Sequence, residues 1–108
     1  MDKRSPNKEK ITRLEKVFQV PARLRIMSAL MAMKKAEFNE LIHMFGLTRG
    51  NLSMHMKLLN EYNYVTIQKK FVNNKPKTTY QITAAGKRDF KIYIEMLENI
   101  IATIKTTE

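Results

Sequence analysis

Arg49, Asn51, Ser53, His55 and Lys57 stand in one short run, with Thr48 just before them and Met54 among them. Guanidinium, amide and hydroxyl groups hydrogen-bond the edges of bases, and ammonium groups meet phosphate oxygens. Met54 adds a soft apolar tip. A second run, Lys69-Lys70-Phe71-Val72-Asn73-Asn74-Lys75-Pro76-Lys77, holds four lysines and no acid. Cations strung along a turn bind phosphates without regard to base sequence. Lysine on an exposed sheet edge also discourages aggregation. The local charge excess exceeds the chain average, which favours phosphate contact for Lys69, Lys70, Asn74, Lys75 and Lys77.

Each run needs an element to hold it. Gly46 sits where a helix should stop, because glycine tolerates the left-handed conformation that closes helices. Leu47 anchors a short turn, and Thr48 is suited to cap the next helix. Leu52, Met56 and Leu59 then recur at helical spacing and form one apolar stripe. Arg49, Asn51, Ser53, Met54 and Lys57 lie mostly off it. That is a helix-turn-helix whose second helix runs to Glu61-Tyr62 and offers one face outward. Asn63 is its expected stop. Tyr64 to Gln68, extended by Lys69 to Val72, reads as a strand, residues 73–77 as a turn, and Thr78 to Ile82 as the return strand. The lysine run is thus a hairpin tip.

The flanking segments supply a core. Residues 1–10 are polar and basic and read as a flexible arm. Ile11, Leu14, Val17 and Phe18 are spaced as a helical stripe. Pro21 opens a helix that carries Leu24, Met27, Leu30 and Met31 and ends at Lys34-Lys35. Ala36 to Phe38 is a connector or a stub of strand, and the next helix starts near Asn39. Thr83 is suited to cap a last helix. There Phe90, Tyr93, Ile94, Leu97, Ile100, Ile101 and Ile104 recur at alternating steps of three and four, the pattern of a seam between helices. Its charges balance, so it is not built for a polyanion. A homodimer interface is expected from these seven residues together with Ile11, Leu14 and Phe18.

Composition excludes several classes. The chain has 108 residues, one domain's worth, with 20 basic and 10 acidic side chains and a formal charge of +10. Such an excess suits a polyanion. No apolar run approaches the roughly 18 residues of a membrane span, and no signal peptide is evident, so a cytoplasmic protein is expected. Without cysteine there are no disulfides or thiolate metal sites. His43 has no ligand at useful spacing, and no metal or cofactor is expected. Ser53 and His55 diverge on a helix, and with 3 glycines no phosphate-cradling loop exists. An enzyme is not expected.

The order of elements, together with Phe38-Asn39-Glu40-Leu41, Gly50 to Leu59, Tyr64-Val65, Pro76 to Tyr80 and Ile82-Thr83-Ala84-Ala85-Gly86, resembles the winged helix-turn-helix transcriptional regulators of the MarR/ArsR-like superfamily. The match is to their small single-domain branch, over about residues 20–98. The fold class expected is mainly α with a β-hairpin wing: an arm at 1–10, a DNA-binding domain at 11–82 and a dimerisation helix at 83–108. The resemblance implies a homodimer that binds double-stranded DNA sequence-specifically, with repression the expected sense. Thr48, Arg49, Asn51, Ser53, Met54 and Lys57 would meet the major groove, and Lys75 and Lys77 the minor groove or its phosphates. His55 matches the family histidine and would bond within the domain or touch phosphate. Asn63 stands where the family usually has glycine. The cysteines and acid–histidine clusters of metal-sensing relatives are missing, and any small-molecule effector would have to sit at the dimer junction. A sequence-blind architectural DNA coat and a protein-docking module are the alternatives.

Overall fold

Helix ends leave backbone groups without intrahelical partners. Among the described residues, side chains cap the starts of four of the five helices, while backbone N–H groups close the ends of the first four. The structure, a computed structural model, describes residues 6–106. In order these form α1 (Lys8–Phe18), α2 (Pro21–Met33), β1 (Lys35–Glu37), α3 (Phe38–Phe45), α4 (Arg49–Glu61), β2 (Val65–Val72), β3 (Lys75–Ile82) and α5 (Ala84–Thr106). Asn7 caps α1 by accepting from Lys10 N at 2.8 Å. This corrects the expected arm: residues 8–10 are helix, and residues 1–5 lie outside the described residues. Pro21 occupies the first turn of α2. The third helix starts at Phe38, one residue earlier than expected, because Glu37 and Glu40 form a reciprocal capping box. Gly46 closes it in the left-handed conformation. Thr48 Oγ1 accepts from Asn51 N at 3.1 Å and starts α4.

The expected connector does form a strand. Lys35, Ala36 and Glu37 pair antiparallel with Gln81, Tyr80 and Thr79, which puts β3 between β1 and β2. The hairpin turn is tighter than expected. Only Asn73 and Asn74 form it, both with positive φ (52° and 63°). That geometry matches the strand twist, and asparagine tolerates it. Lys75, Pro76 and Lys77 therefore belong to β3. Pro76 lies beyond the reach of β1, so its missing N–H breaks no ladder bond there.

One core joins the helices to the base of the sheet. Leu14, Phe18, Ile26, Leu30, Leu41, Leu52, Met56, Leu59 and Val65 are fully buried; each aliphatic side chain so placed contributes about 1.5–3 kcal/mol. Phe18 is the hub of the aromatic part. Its ring lies 5.1 Å from Tyr64, 5.2 Å from Phe90 and 5.7 Å from Tyr93. The first half of α5 is thus part of the same core as the helix-turn-helix, and α1 packs along it. The second half of α5 extends beyond it, and the molecule measures 56 × 31 × 21 Å. Among the described residues no helix is long and apolar enough to cross a membrane.

Candidate nucleic-acid interface

Leu52, His55, Met56 and Leu59 turn α4 onto the core. Arg49, Gly50, Asn51, Ser53, Met54 and Lys57 are exposed as a consequence. Arg49 is held in place: its guanidinium lies 4.7 Å from the centre of the Phe38 ring and donates to Asn39 Oδ1 at 3.2 Å. A stacked, hydrogen-bonded arginine loses less freedom on meeting a partner than a free one. Thr48 is also exposed, though its hydroxyl is engaged in the cap.

The hairpin stands beside this face and encloses a groove of about 780 Å³ with it. Arg49, Gly50, Ser53 and Lys57 line one wall, and Ile67, Lys69, Lys75, Pro76, Lys77 and Thr78 the other. The register divides the lysines. Lys69 lies opposite Thr78 on the face shared with Ile67 and Tyr80, whereas Lys70 pairs with Lys77 and Lys75 with Val72 on the opposite face; of these, Lys75 and Lys77 still border the groove, and Lys70 does not. Two like charges directly opposite destabilise a sheet. Here Glu37 on β1 offsets them, with its Oε1 2.9 Å from Lys77 Nζ. The run has no acid of its own, but the fold brings one from β1. Lys77 therefore differs from its neighbours, and both partners of that pair are roughly two-fifths exposed.

His55 departs from the expected list. It is only 8 % exposed, and its Nδ1 lies 3.3 Å from Arg23 NH1. A guanidinium only donates, so Nδ1 accepts and the proton sits on Nε2. Arg23 also donates to the carbonyls of Val17 at 2.7 Å and Lys16 at 3.3 Å. The histidine thus ties the inward side of α4 to the end of α1. Burial, and next the charge of Arg23, hold its pKa below the ordinary 6.5. Of the two roles left open for His55, the bond within the domain is the one observed.

The interface set is also corrected. Leu14, Phe18, Phe90 and Tyr93 are buried inside the protomer, where α1 and α5 pack on each other. Ile11, Ile94 and Leu97 are half-buried. Ile100, Ile101 and Ile104 are 52 %, 50 % and 64 % exposed and make an apolar strip on the distal part of α5.

Sequence reasoning missed Arg23, Glu37, Tyr64 and Asp89. Asp89 is buried, accepts from Tyr64 Oη at 2.8 Å and from Arg88 Nε at 3.1 Å, and pairs with Lys10 at 3.1 Å. Asp89 reads as one more charge on the outer face of a helix, so nothing local marks it. Thr83 was legible: its Oγ1 accepts from Gly86 N at 2.9 Å and donates to Asn63 O at 2.7 Å, which caps α5 and locks the left-handed Asn63.

Residues 22–101 match the family described as winged helix DNA-binding domain. The chain is 37 % identical over 79 residues to an uncharacterised protein of Methanocaldococcus jannaschii, covering 73 % of this chain and 86 % of that one. Among solved structures, a transcriptional regulator homologue from Pyrococcus horikoshii OT3 superposes with a TM-score of 0.78 at 28 % identity, covering 89 % of this chain and 97 % of the other. An Enterococcus faecalis V583 protein assigned to the MarR family shares the fold at a TM-score of 0.77 and 15 % identity, covering 99 % and 98 %.

Proposed function

The chain belongs to the winged helix DNA-binding domain family, and from that premise we propose that it is a transcriptional regulator that binds double-stranded DNA as a homodimer and reads a specific sequence. One observation carries the proposal: the exposed polar face of a capped helix and a lysine-bearing hairpin share one groove. A helix of about 10–12 Å diameter fits the major groove, about 12 Å wide. Arg49, Asn51, Ser53, Met54 and Lys57 then reach base edges or flanking phosphates, while Lys69, Lys70, Asn74 and Lys75 follow the sugar-phosphate rail beside the helix.

The distal strip of α5 serves the pairing of two copies. Isoleucines on a balanced-charge helix have no role toward a polyanion, and burial against the same strip of a second copy would remove them from water. Twofold pairing gives a near-palindromic target with half-sites about 34–36 Å apart. Bound across a promoter in the cytoplasm, such a dimer would repress by occlusion.

Selection of bound fragments from a random duplex pool, followed by salt titration of the recovered duplex, tests this. A palindromic consensus is expected. With roughly 6–10 phosphates neutralised, affinity should fall about 10³- to 10⁵-fold between about 50 and 200 mM salt. Uptake of all duplexes alike would point to an architectural coat. No uptake even in dilute buffer, with a protein recovered instead, would leave a docking module.

A further inference from the structure

Among the described residues Phe71 is the most exposed large apolar side chain, at 79 %. The hairpin register fixes where it stands. Val65, Ile67, Lys69 and Phe71 share one face of β2. Val65 is buried on the core and Ile67 half-buried, and the row then runs out past the core. Phe71 therefore stands on the same face of the hairpin as Ile67 and Lys69, at the outer end of that row and beyond the groove lining. Its partner across the ladder is Pro76, which lines the groove. The two-residue turn at Asn73-Asn74 makes the tip narrow. Lys69 shares the face of Phe71, Lys70, Lys75 and Lys77 stand on the opposite face of the same narrow hairpin, and no acid occurs between Val65 and Ile82.

An exposed aromatic ring on a hairpin tip that carries four lysines suits a partner that is polyanionic at its edges and apolar within. An apolar protein surface would leave those lysines desolvated and without counter-charge, at a cost of several kcal/mol per buried ion. The duplex minor groove offers both: phosphate rails on either side and, between them, base edges whose apolar faces are uncovered when a step opens. Apolar side chains that enter it separate a base step and kink the duplex toward the major groove. We infer that Phe71, backed by Pro76, is a wedge that enters the minor groove beside each half-site and partly unstacks one base step while the flanking lysines hold the phosphates. The inference rests on the DNA-binding reading above. It adds a deformation-based preference: flexible TA or CA steps should be favoured where the hairpin lands, and a stiff A-tract disfavoured.

The test uses the full chain and an alternating A–T duplex of about two helical turns. Dyes at its ends report bending by energy transfer, and a fluorescent adenine analogue that brightens on unstacking is distributed along it. Wild-type protein should brighten the analogue and shorten the end-to-end distance. Phe71→Ala should abolish both and weaken binding about tenfold, the scale of a lost aromatic–base contact, with the salt slope unchanged because the lysines remain. Phe71→Leu should keep part of the bend. If the wild type takes up no duplex in dilute buffer, the DNA-binding reading and the wedge fall together. If it binds with a steep salt slope but neither brightens nor bends the duplex, or if Phe71→Ala does both as well as the wild type, the wedge alone falls. Circular dichroism completes the set: loss of the folded spectrum in Phe71→Ala would make Phe71 a packing residue and overturn the inference.

Discussion

Tyr64 Oη donates to Asp89 Oδ2 at 2.8 Å, and both residues are buried. This bond joins the residue between α4 and the hairpin to α5. Asp89 also pairs with Lys10 of α1, so three parts of the fold meet at one carboxylate. A hydrogen bond to a charged group contributes about 1.5–3 kcal/mol, and Tyr64→Phe should lower unfolding free energy by that amount in a denaturant titration. Burial pushes the Asp89 pKa up, but hydrogen bonds from Tyr64, Arg88 and Lys10 outweigh it and leave the value below 3.8. The stability it contributes is complete above 3.8 and lost as pH falls through the lower folded value. Burial, then Asp89, push Tyr64 from 10.0 up to about 12, so its contribution is complete below 10.0 and lost as pH rises through about 12. Tyr64→Phe should remove that alkaline limb, and a melting series in which the limb persists would show that it has another source.

Acid should also loosen the tie between α4 and α1. The folded pKa of His55 lies below 6.5, so the unfolded chain takes up the proton first. Stability is complete above 6.5 and declines as pH falls from there through the folded value. His55→Gln should flatten this slope. Melting temperatures recorded from neutral to mildly acidic pH are the check, and equal slopes in the two proteins would remove His55 from the account.

Glycine to alanine should act with opposite signs at two positions. A Cβ on Gly86 would lie 2.3 Å from the Tyr64 carbonyl oxygen and 3.0 Å from Ile82 Cγ1. The obstacle is backbone, so α5 must move, and Gly86→Ala should destabilise by roughly 2 kcal/mol despite alanine's helix preference. Around Gly50 nothing lies within 4 Å. Gly50→Ala should stabilise the free protein by about 0.5–1 kcal/mol, yet weaken DNA binding, because the added methyl stands on the groove wall. Thermal melts and a binding titration on the same pair of variants separate the two effects.

Glu37 should act as a brake on DNA binding through Lys77. Glu37→Gln keeps an acceptor for the capping box, so the stability loss should stay near 0.5 kcal/mol. It frees Lys77 and removes an acid from the groove. Affinity for any duplex should rise several-fold, and the salt slope should steepen by about one ion. A binding isotherm unchanged by this substitution would mean that Lys77 does not approach phosphate.

Pairing and folding should be separable along α5. Ile101→Lys places a charge on a half-exposed position, so the protomer should melt within about 0.5 kcal/mol of the wild type while sedimentation shows monomers. Phe90→Ala empties a buried site beside Phe18 and should cost about 3–5 kcal/mol. A dimer that persists in Ile101→Lys at micromolar concentration would place the pairing surface elsewhere.

What the residues themselves determined is the local geometry. Gly46, Thr48, Asn63 and Thr83 end or start their elements as read, because a cap or a left-handed turn depends on bonds within a few residues. The outward face of α4 was legible for a similar reason: a stripe of Leu52, Met56 and Leu59 leaves only one side for Asn51, Ser53 and Lys57. Only the tertiary structure decided which members of each set are free to act. Arg23 reaches His55 across 32 positions and Tyr64 reaches Asp89 across 25, and β1 brings Glu37 to Lys77. Leu14, Phe18, Phe90 and Tyr93 look no different in sequence from Ile100 and Ile101, yet the meeting of α1 and α5 buries the first group and leaves the second exposed. Periodicity says that a face is apolar. Which surface covers it depends on how the elements pack, and that is a property of the whole chain.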